Sequence, residues 1–267
     1  MTRPLLGKRA LVTGASSALG AGIAARLAED GARVCLHGRN EQRLEEQRAA
    51  IADAGADVCT AAGSLSDDAS ARAVFDAAED ALGGGIDILV NNAGGEAAGN
   101  AQAPWLDASP DEWVATYNSN VASMVRLIQA AVPGMKSRGW GRLIQLSSAS
   151  VDTPLPIIPD YQAAKSAIRS LTRSLAMSLA HTGITANSVS PGLTLSDGPE
   201  AWLKRIAEEA GWGDDRDTIL ERANTEMANN FAGRIGVPAD IAHAVSFLAD
   251  PRADMVNAID IRIDGGR

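Results

Sequence analysis

The sequence predicts a doubly wound α/β fold, one parallel sheet of about seven strands with helices on both faces. Three observations predict it. Short aliphatic runs alternate with helical stretches along the whole chain, the pattern of a parallel sheet covered on both sides. The first run passes directly into a glycine-bearing turn, "TGASSALG". The core material is aliphatic, with 46% hydrophobic but only 4% aromatic residues among 267. Right-handed crossovers then lead the chain alternately over the two faces of the sheet.

The elements follow in order. "KRALVT" (8–13) reads as the first strand and leads to an alanine-rich helix from about Leu19 to Asp30. "ARVCLH" (32–37) is the second strand, after which Asn40 caps a charged helix. "ADVCTA" (56–61) is the third, with Ser66 as the cap of the next helix, and "IDILVN" (86–91) is the fourth. Ser109-Pro110-Asp111-Glu112 forms a full helix start, with Ser109 as cap, Pro110 at the first helical position and Glu112 closing the capping box. That helix runs to about Lys136. "GRLIQLS" (141–147) is strand five, and a loop with Pro154, Pro156 and Pro159 leads to a helix from about Tyr161 to His181. "TANSVS" (185–190) is strand six. Residues 193–236 are irregular and partly helical, Asp240 to Ala249 is a helix, and "AIDIRID" (258–264) is the last strand. No linker or repeat interrupts this order, so residues 1–267 read as one domain.

A net charge of −9 argues against a broad nucleic-acid footprint or a polybasic membrane surface, while leaving room for a local basic pocket. There is no signal-like N-terminal segment and no run of 18 apolar residues, so the chain reads as cytoplasmic. Cys35 and Cys59 both fall in strands and read as buried free thiols rather than a disulfide or metal pair. His37, His181 and His243 lack ligand spacing, and no metal site is expected.

Ligands of doubly wound sheets sit beyond the carboxyl ends of the strands. Gly14 follows the first strand there, and the helix after it offers free N–H groups and a positive dipole end to a pyrophosphate. Ser16 and Ser17 add hydroxyls. The same stretch also suits a strand-to-helix turn without a ligand. At the end of the second strand, "CLHGRN" puts Gly38 and Arg39 where an NAD site carries an acid. A carboxylate would repel a 2′-phosphate, whereas a guanidinium grips it in bidentate fashion. NADP(H) is therefore preferred, with NAD(H) as the alternative if Arg39 is only a solvated loop residue. "YQAAK" puts Tyr161 and Lys165 four residues apart on one helix face. An adjacent ammonium lowers a phenol from a pKa of about 10 by about 1–3 units, toward useful proton transfer. Alone, such a pair also arises by chance.

"TGASSALG", "NNAG" (91–94), Asn120, Ser148, "YQAAK", "PG" (191–192) and the closing "IDGG" occur in one order. Together they resemble the short-chain dehydrogenase/reductase family in its compact single-domain form, over nearly the whole chain. The resemblance implies a Rossmann fold and a catalytic set of Asn120, Ser148, Tyr161 and Lys165. Tyr161 would be the general acid in carbonyl reduction and the base in reverse. Lys165 would lower its pKa and hold the nicotinamide ribose, Ser148 would hydrogen-bond the substrate oxygen, and Asn120 would bend its helix and hold a water. Ser147 would belong to the strand instead. Cofactor contacts are implied at Gly14, Ser16, Ser17, Leu19, Gly20, Arg39, Ser64, Leu65, Asn92, Gly94, Tyr161, Lys165, Pro191, Gly192, Thr194 and Ser196. Asn120 as a plain buried amide, and Asn92 as a strand-end turn, are the bland alternatives.

Three positions depart from the family pattern. Ala18 replaces a common glycine, Ser64 stands where an Asp often binds the adenine amino group, and Val151 stands where Gly is frequent. Residues 193–236 correspond to the substrate lid of similar enzymes; a helix pair packed on its own core is the other reading. Small residues Ala163, Ala167, Ser170 and Ser174 on the Tyr161 helix suit close packing, and similar proteins form dimers and tetramers. The expected function is reversible hydride transfer between NADP(H) and a ketone, aldehyde or secondary alcohol. The alternatives are a non-catalytic cofactor-binding sensor or scaffold, an NAD-dependent alcohol dehydrogenase, and a lyase or epimerase that recycles its cofactor.

Overall fold

The computed structural model describes residues 3–95, 105–153, 157–228 and 230–266. Pro154 and Pro156 of the proline-bearing loop lie outside them. The strands are β1 (Arg9–Val12), β2 (Arg33–Gly38), β3 (Val58–Ala62), β4 (Ile88–Asn91), β5 (Gly141–Leu146), β6 (Ile184–Pro191) and β7 (Asp260–Ile263). They form one seven-stranded sheet in the order β3-β2-β1-β4-β5-β6-β7, with every pairing parallel. The helices are α1 (Ala18–Glu29), α2 (Glu41–Asp53), α3 (Asp68–Leu82), α4 (Pro110–Tyr117), α5 (Ser123–Arg138), α6 (Pro159–Ser178), α7 (Asp197–Ala210), α8 (Arg216–Glu226) and α9 (Pro238–Ala249).

The pleat explains why the central strands are continuous apolar runs. Val12, Ile88, Val90 and Ile144 pack on one face with Ile23, Leu27, Ile241 and Val245 of α1 and α9. Leu11, Leu89 and Leu143 pack on the other with Val74, Leu127 and Ile168 of α3, α5 and α6. Neighbouring residues therefore point to opposite cores, and both must be apolar. The chain leaves β1 for β2 on one side and returns through β4 on the other, which opens a crevice at the carboxyl ends of β1 and β4.

Several boundaries differ from the sequence expectation for local reasons. Asp67, not Ser66, caps α3: its carboxylate accepts from Ser70 N at 2.9 Å, and the Ser66 hydroxyl supports it at 3.3 Å. A carboxylate complements the positive helix end better than a hydroxyl. Helices α6 and α9 begin earlier than expected because Pro159 and Pro238 occupy first-turn positions. The Ser109 capping box is present. The long helix after it is interrupted by a π-helical turn at Asn118–Ala122 between α4 and α5.

Residues 193–236 contain α7 and α8, which enclose a small core of Leu203, Ala207, Ile219, Ala223 and Ile235. The ends of this segment meet at a Thr194–Gly236 bridge. The helix pair is packed on its own core.

Candidate active site

The glycine turn is built from its own side chains. Gly14 has φ 67°, and Ser17 caps α1 by accepting from Gly20 N at 3.2 Å while donating to Gly14 O at 2.8 Å. A Cβ on Gly20 would stand 2.4 Å from Gly14 O, so the turn closes only with glycine there. Ala18 is exposed at the helix start, and Leu19 is half-buried beside it. Thr13 fastens this turn to the "NNAG" segment. Its hydroxyl accepts from Asn92 N and Ala93 N at 2.9 and 2.8 Å. The Asn92 side-chain amide donates to Thr13 O at 2.8 Å and Gly14 O at 3.3 Å. That amide therefore shapes the turn itself.

Beyond β2 and β3, Gly38 packs against Ser16, where an added Cβ would lie 2.8 Å from the Ser16 hydroxyl. Arg39 is exposed, and no ion pair among the described residues holds it. Ser64 Oγ donates to Ser66 Oγ at 2.9 Å, and the carbonyl of buried Leu65 accepts from Arg126 at 3.1 Å. His37, the last side chain before Gly38, is buried with Nε2 at 3.3 Å from Gly63 O and Nδ1 unpartnered. Burial lowers its pKa to about 4, against the Gly63 hydrogen bond and with help from the Arg39 charge. The neutral ring donates to Gly63 and ties the ends of β2 and β3 together.

This burial has a pH signature. Above pH 6.5 His37 is neutral folded and unfolded; below it the unfolded chain takes a proton that the folded chain refuses until about pH 4. Stability is thus lost as pH falls through that window. Unfolding in urea at pH 7 and 4.5 should show His37→Gln escaping roughly 2–3 kcal/mol of the wild-type acid loss. Parallel losses in both proteins would contradict the assignment.

The second half of the site gathers around Lys165. Tyr161 and Lys165 lie on successive turns of α6, with Nζ 5.3 Å from the Tyr161 ring centroid. Lys165 is buried, and Nζ donates to Leu146 O at 2.9 Å. Burial alone lowers its pKa to about 8. Asn120 sits in the π turn because its side-chain amide donates to Thr116 O, one α-turn back, at 2.9 Å and to Gly95 O at 2.7 Å. Gly95 N donates back to Asn120 Oδ1 at 3.0 Å. A Cβ on Gly94 would meet Asn120 Oδ1 at 2.5 Å and Lys165 Nζ at 3.5 Å, so Gly94 is where strand four, the π turn and α6 converge. Thr116 also donates to Asp160, next to Tyr161, at 2.5 Å.

Ser148 starts a short 3-10 turn after β5, and its hydroxyl lies 2.9 Å from that of Ser150. Ser147 is buried and donates to Lys165 O at 2.9 Å, which fixes α6 against β5. At the end of β6, Pro191 is followed by Gly192, whose N–H donates to Ile263 O at 2.9 Å. Buried Thr194 donates to Gly192 O at 3.0 Å, and Ser196, at the position before α7, donates its hydroxyl back to Thr194 O at 3.5 Å without capping the helix. Asp197 in the first turn of α7 pairs with Arg43 of α2, so this segment reaches across to the Arg39 side of the crevice.

The cofactor fit can be tested on Lys165. Its ammonium carries three N–H donors, and the only acceptor it meets among the described residues is the Leu146 carbonyl. A buried cation with donors to spare suits ribose hydroxyls, and an exposed Arg39 suits a phosphate.

The family model described as short chain dehydrogenase matches residues 8–205. The chain belongs to the short-chain dehydrogenase/reductase family. A 3-oxoacyl-[acyl-carrier-protein] reductase of Vibrio cholerae is 33% identical to it, over 98% of each chain. The L-sorbose reductase of Gluconobacter frateurii, solved with NADPH and L-sorbose, superposes with a TM-score of 0.89 at 29% identity, covering 100% of this chain and 98% of that one. A 3-oxoacyl (acyl-carrier-protein) reductase of Agrobacterium tumefaciens with NADP bound gives a TM-score of 0.85 at 29% identity, covering 98% and 95%. The short-chain dehydrogenase is thus an oxidoreductase by family, with a Rossmann-like sheet throughout.

In this short-chain dehydrogenase, Asn120, Gly94, Tyr161 and Lys165 come together directly, and Ser148 lies at the end of the neighbouring strand β5. Arg39, Ser64 and Leu65 cluster at the other end, by the carboxyl ends of β2 and β3. Four supporting residues were missed in the sequence: Thr13, His37 and the Thr116–Asp160 pair. Thr13 and His37 could have been suspected as the last polar side chains of their strands. Thr116–Asp160 joins residues 44 apart and leaves no local signal.

Proposed function

We propose that this chain is an NADP(H)-dependent oxidoreductase that interconverts a ketone or aldehyde with a secondary or primary alcohol, using Tyr161 as the proton donor and acceptor. The observation that carries the reading is the buried Lys165 cation beside the Tyr161 ring, facing Gly94 and Asn120. A bound nicotinamide would supply the hydride. The chain's own work is to position the carbonyl and deliver a proton. Ser148 Oγ orients the substrate oxygen. Tyr161 donates its phenolic proton to that oxygen, and the positive charge on Lys165 stabilises the phenolate left behind. Asn120 holds the Gly94–Gly95 backbone against α6 and so fixes the room available to the ribose. The intact proton-transfer set argues against a cofactor-binding scaffold.

Arg39 supports NADP(H) over NAD(H), as do relatives solved with NADPH and NADP. Arg39→Ala should weaken NADPH by ~10- to 100-fold, the range for losing charge-assisted hydrogen bonds, while barely changing NADH. Fluorescence titration measures both; equal weakening would sink the cofactor assignment.

The α7–α8 segment acts as a lid over the substrate in this reading. Its separate core and its Thr194–Gly236 closure let it move as a unit. Shortening α8 should raise substrate KM while leaving NADPH affinity nearly intact, and equal effects on both would count against a lid.

The protein acts on a small carbonyl or alcohol as a homo-oligomer, a dimer or a tetramer. Ala163, Ser170 and Ser174 are exposed on α6 rather than packed on the sheet, and α4, which packs against α6, exposes Val114 and Tyr117. Phe247 of α9 and Met255 after it are also exposed. Exposed side chains on separate elements suit two two-fold axes, and sedimentation as a monomer at micromolar concentration would refute this.

A further inference from the structure

Cys35 and Cys59 are in direct register on the parallel strands β2 and β3. Residues paired in this way point to the same face, here toward Val74, Phe75 and Ala78 of α3. Neighbouring strands run ~4.8 Å apart, inside the Cα separation of ~4.4–6.8 Å that a disulfide spans. Both are free thiols, and the Cys59 thiol donates to Val34 O at 3.8 Å. They also differ in exposure: Cys35 is fully enclosed, whereas Cys59 is half-buried on β3, the outermost strand of the sheet. We propose that Cys35 and Cys59 form a dithiol site that peroxide converts reversibly to an intramolecular disulfide.

The division of labour follows from the surroundings. The neighbouring Cys59 sulfur, with burial, raises the Cys35 pKa and keeps it protonated. The adjacent Cys35 thiol lowers the pKa of Cys59, and the Arg33 charge assists while burial and Asp57 oppose. Cys59 is the attacking sulfur, the partly exposed member with thiolate character beside a resolving partner. Its sulfur attacks one peroxide oxygen, the O–O bond breaks, and the departing hydroxide leaves as water. Cys59 is then a sulfenic acid. Cys35 sulfur attacks Cys59 sulfur, the S–O bond breaks, and the proton of Cys35 leaves with that hydroxide as a second water. Two electrons pass from the thiols to the peroxide, and an external dithiol reverses the reaction.

The site lies three residues before Gly38 and four before Gly63. The cross-link would therefore fasten β2 to β3 beneath Arg39 and Ser64. Only that placement under the cofactor cleft rests on the proposed function; the thiol chemistry stands apart from it.

Peptide mapping of the full chain tests the site without using activity. Folded protein is treated with one equivalent of hydrogen peroxide, remaining thiols are alkylated, and the chain is cut with trypsin. Peptides 34–39 and 49–72 should appear joined, lighter by two hydrogens than their sum, and separate again after dithiothreitol. Cys35→Ser should leave Cys59 as a sulfenic acid that dimedone traps, and Cys59→Ser should leave Cys35 unreactive. The proposal is overturned if both wild-type thiols remain alkylatable in the folded protein. It is equally overturned if Cys59 goes to sulfinic acid with Cys35 still free, or if the chains join to one another instead. Should the serine variants fail to fold, the wild-type map decides.

Discussion

Replacing Tyr161 by phenylalanine is expected to lower kcat by ~10²- to 10⁴-fold, the usual share of a positioned general acid, with NADPH still bound. The physical reason is selective. Phenylalanine keeps the half-buried ring and its face toward the Lys165 ammonium, 5.3 Å from the centroid. It removes only the hydroxyl that would protonate the substrate oxygen. KM for NADPH and the thermal midpoint should therefore stay near wild type while turnover collapses. Turnover retained in Tyr161→Phe would mean that another group delivers the proton, and the proposed mechanism would fall.

Lys165→Met is expected to do the opposite to stability and the same to turnover. An ordinary lysine pKa is 10.5, and burial lowers this one to about 8. Below pH 8 both states are protonated and the folded chain bears the full cost of an enclosed charge. Between pH 8 and 10.5 the folded lysine loses its proton first, so this contribution to instability fades as pH rises. The difference in pKa corresponds to about 3 kcal/mol at pH 7. Methionine escapes that cost but leaves the Leu146 carbonyl without its donor, which returns about 1 kcal/mol or more. The net expectation is a cofactor-free protein about 1–2 kcal/mol more stable at pH 7, roughly 2–4 °C in midpoint. The advantage should shrink by pH 10.5 as the wild-type lysine neutralises. Calorimetry at the two pH values, read as the difference between proteins, checks both signs. A variant less stable at pH 7 would show that Lys165 is not an uncompensated charge in the fold.

Local signals in the sequence carry far, and their limits are physical. The Ser109 box, the Asn40 cap and the glycine turn are all written within four or five residues of each other, and each is found where the sequence puts it. The strands are legible because sheets buried on two faces demand unbroken apolar runs. A bend at Asn120 is what the family resemblance implies, but its π-turn form is not legible, because it depends on Asn120 reaching both Thr116 and the distant Gly95 backbone. Asp67 displaced Ser66 as a cap because two adjacent residues of cap-forming type compete and charge decides. The adjacency of Cys35 and Cys59 needs the strand register, which composition cannot supply. Residues 193–236 show the same limit in part: a helix pair on its own core was one of two readings, but which residues fill it, Leu203, Ile219 and Ile235 among them, depends on how α7 meets α8.

The residues of the proposed proton-transfer set were legible as types and order before any geometry. What the structure adds is how they come together. Gly94 has no side chain, so the Asn120 amide and the Lys165 ammonium both approach it. Ser147, next to the proposed substrate contact, serves the fold by binding the Lys165 carbonyl. Arg39 stands in the open at the far end of the crevice, without a carboxylate to neutralise it among the described residues.

The proposed reaction is net carbonyl reduction, with the cofactor's hydride on the product and the Tyr161 proton on its oxygen. The direct measurement is turnover with NADPH dideuterated at nicotinamide C4 against a panel of ketones and aldehydes, followed by mass spectrometry of the products. One deuterium is expected on the former carbonyl carbon for each NADPH consumed, with transfer ~10²- to 10⁴-fold slower in Tyr161→Phe. Tightly bound NADPH with no transfer across the panel, or transformed substrate with no net loss of NADPH, would contradict it.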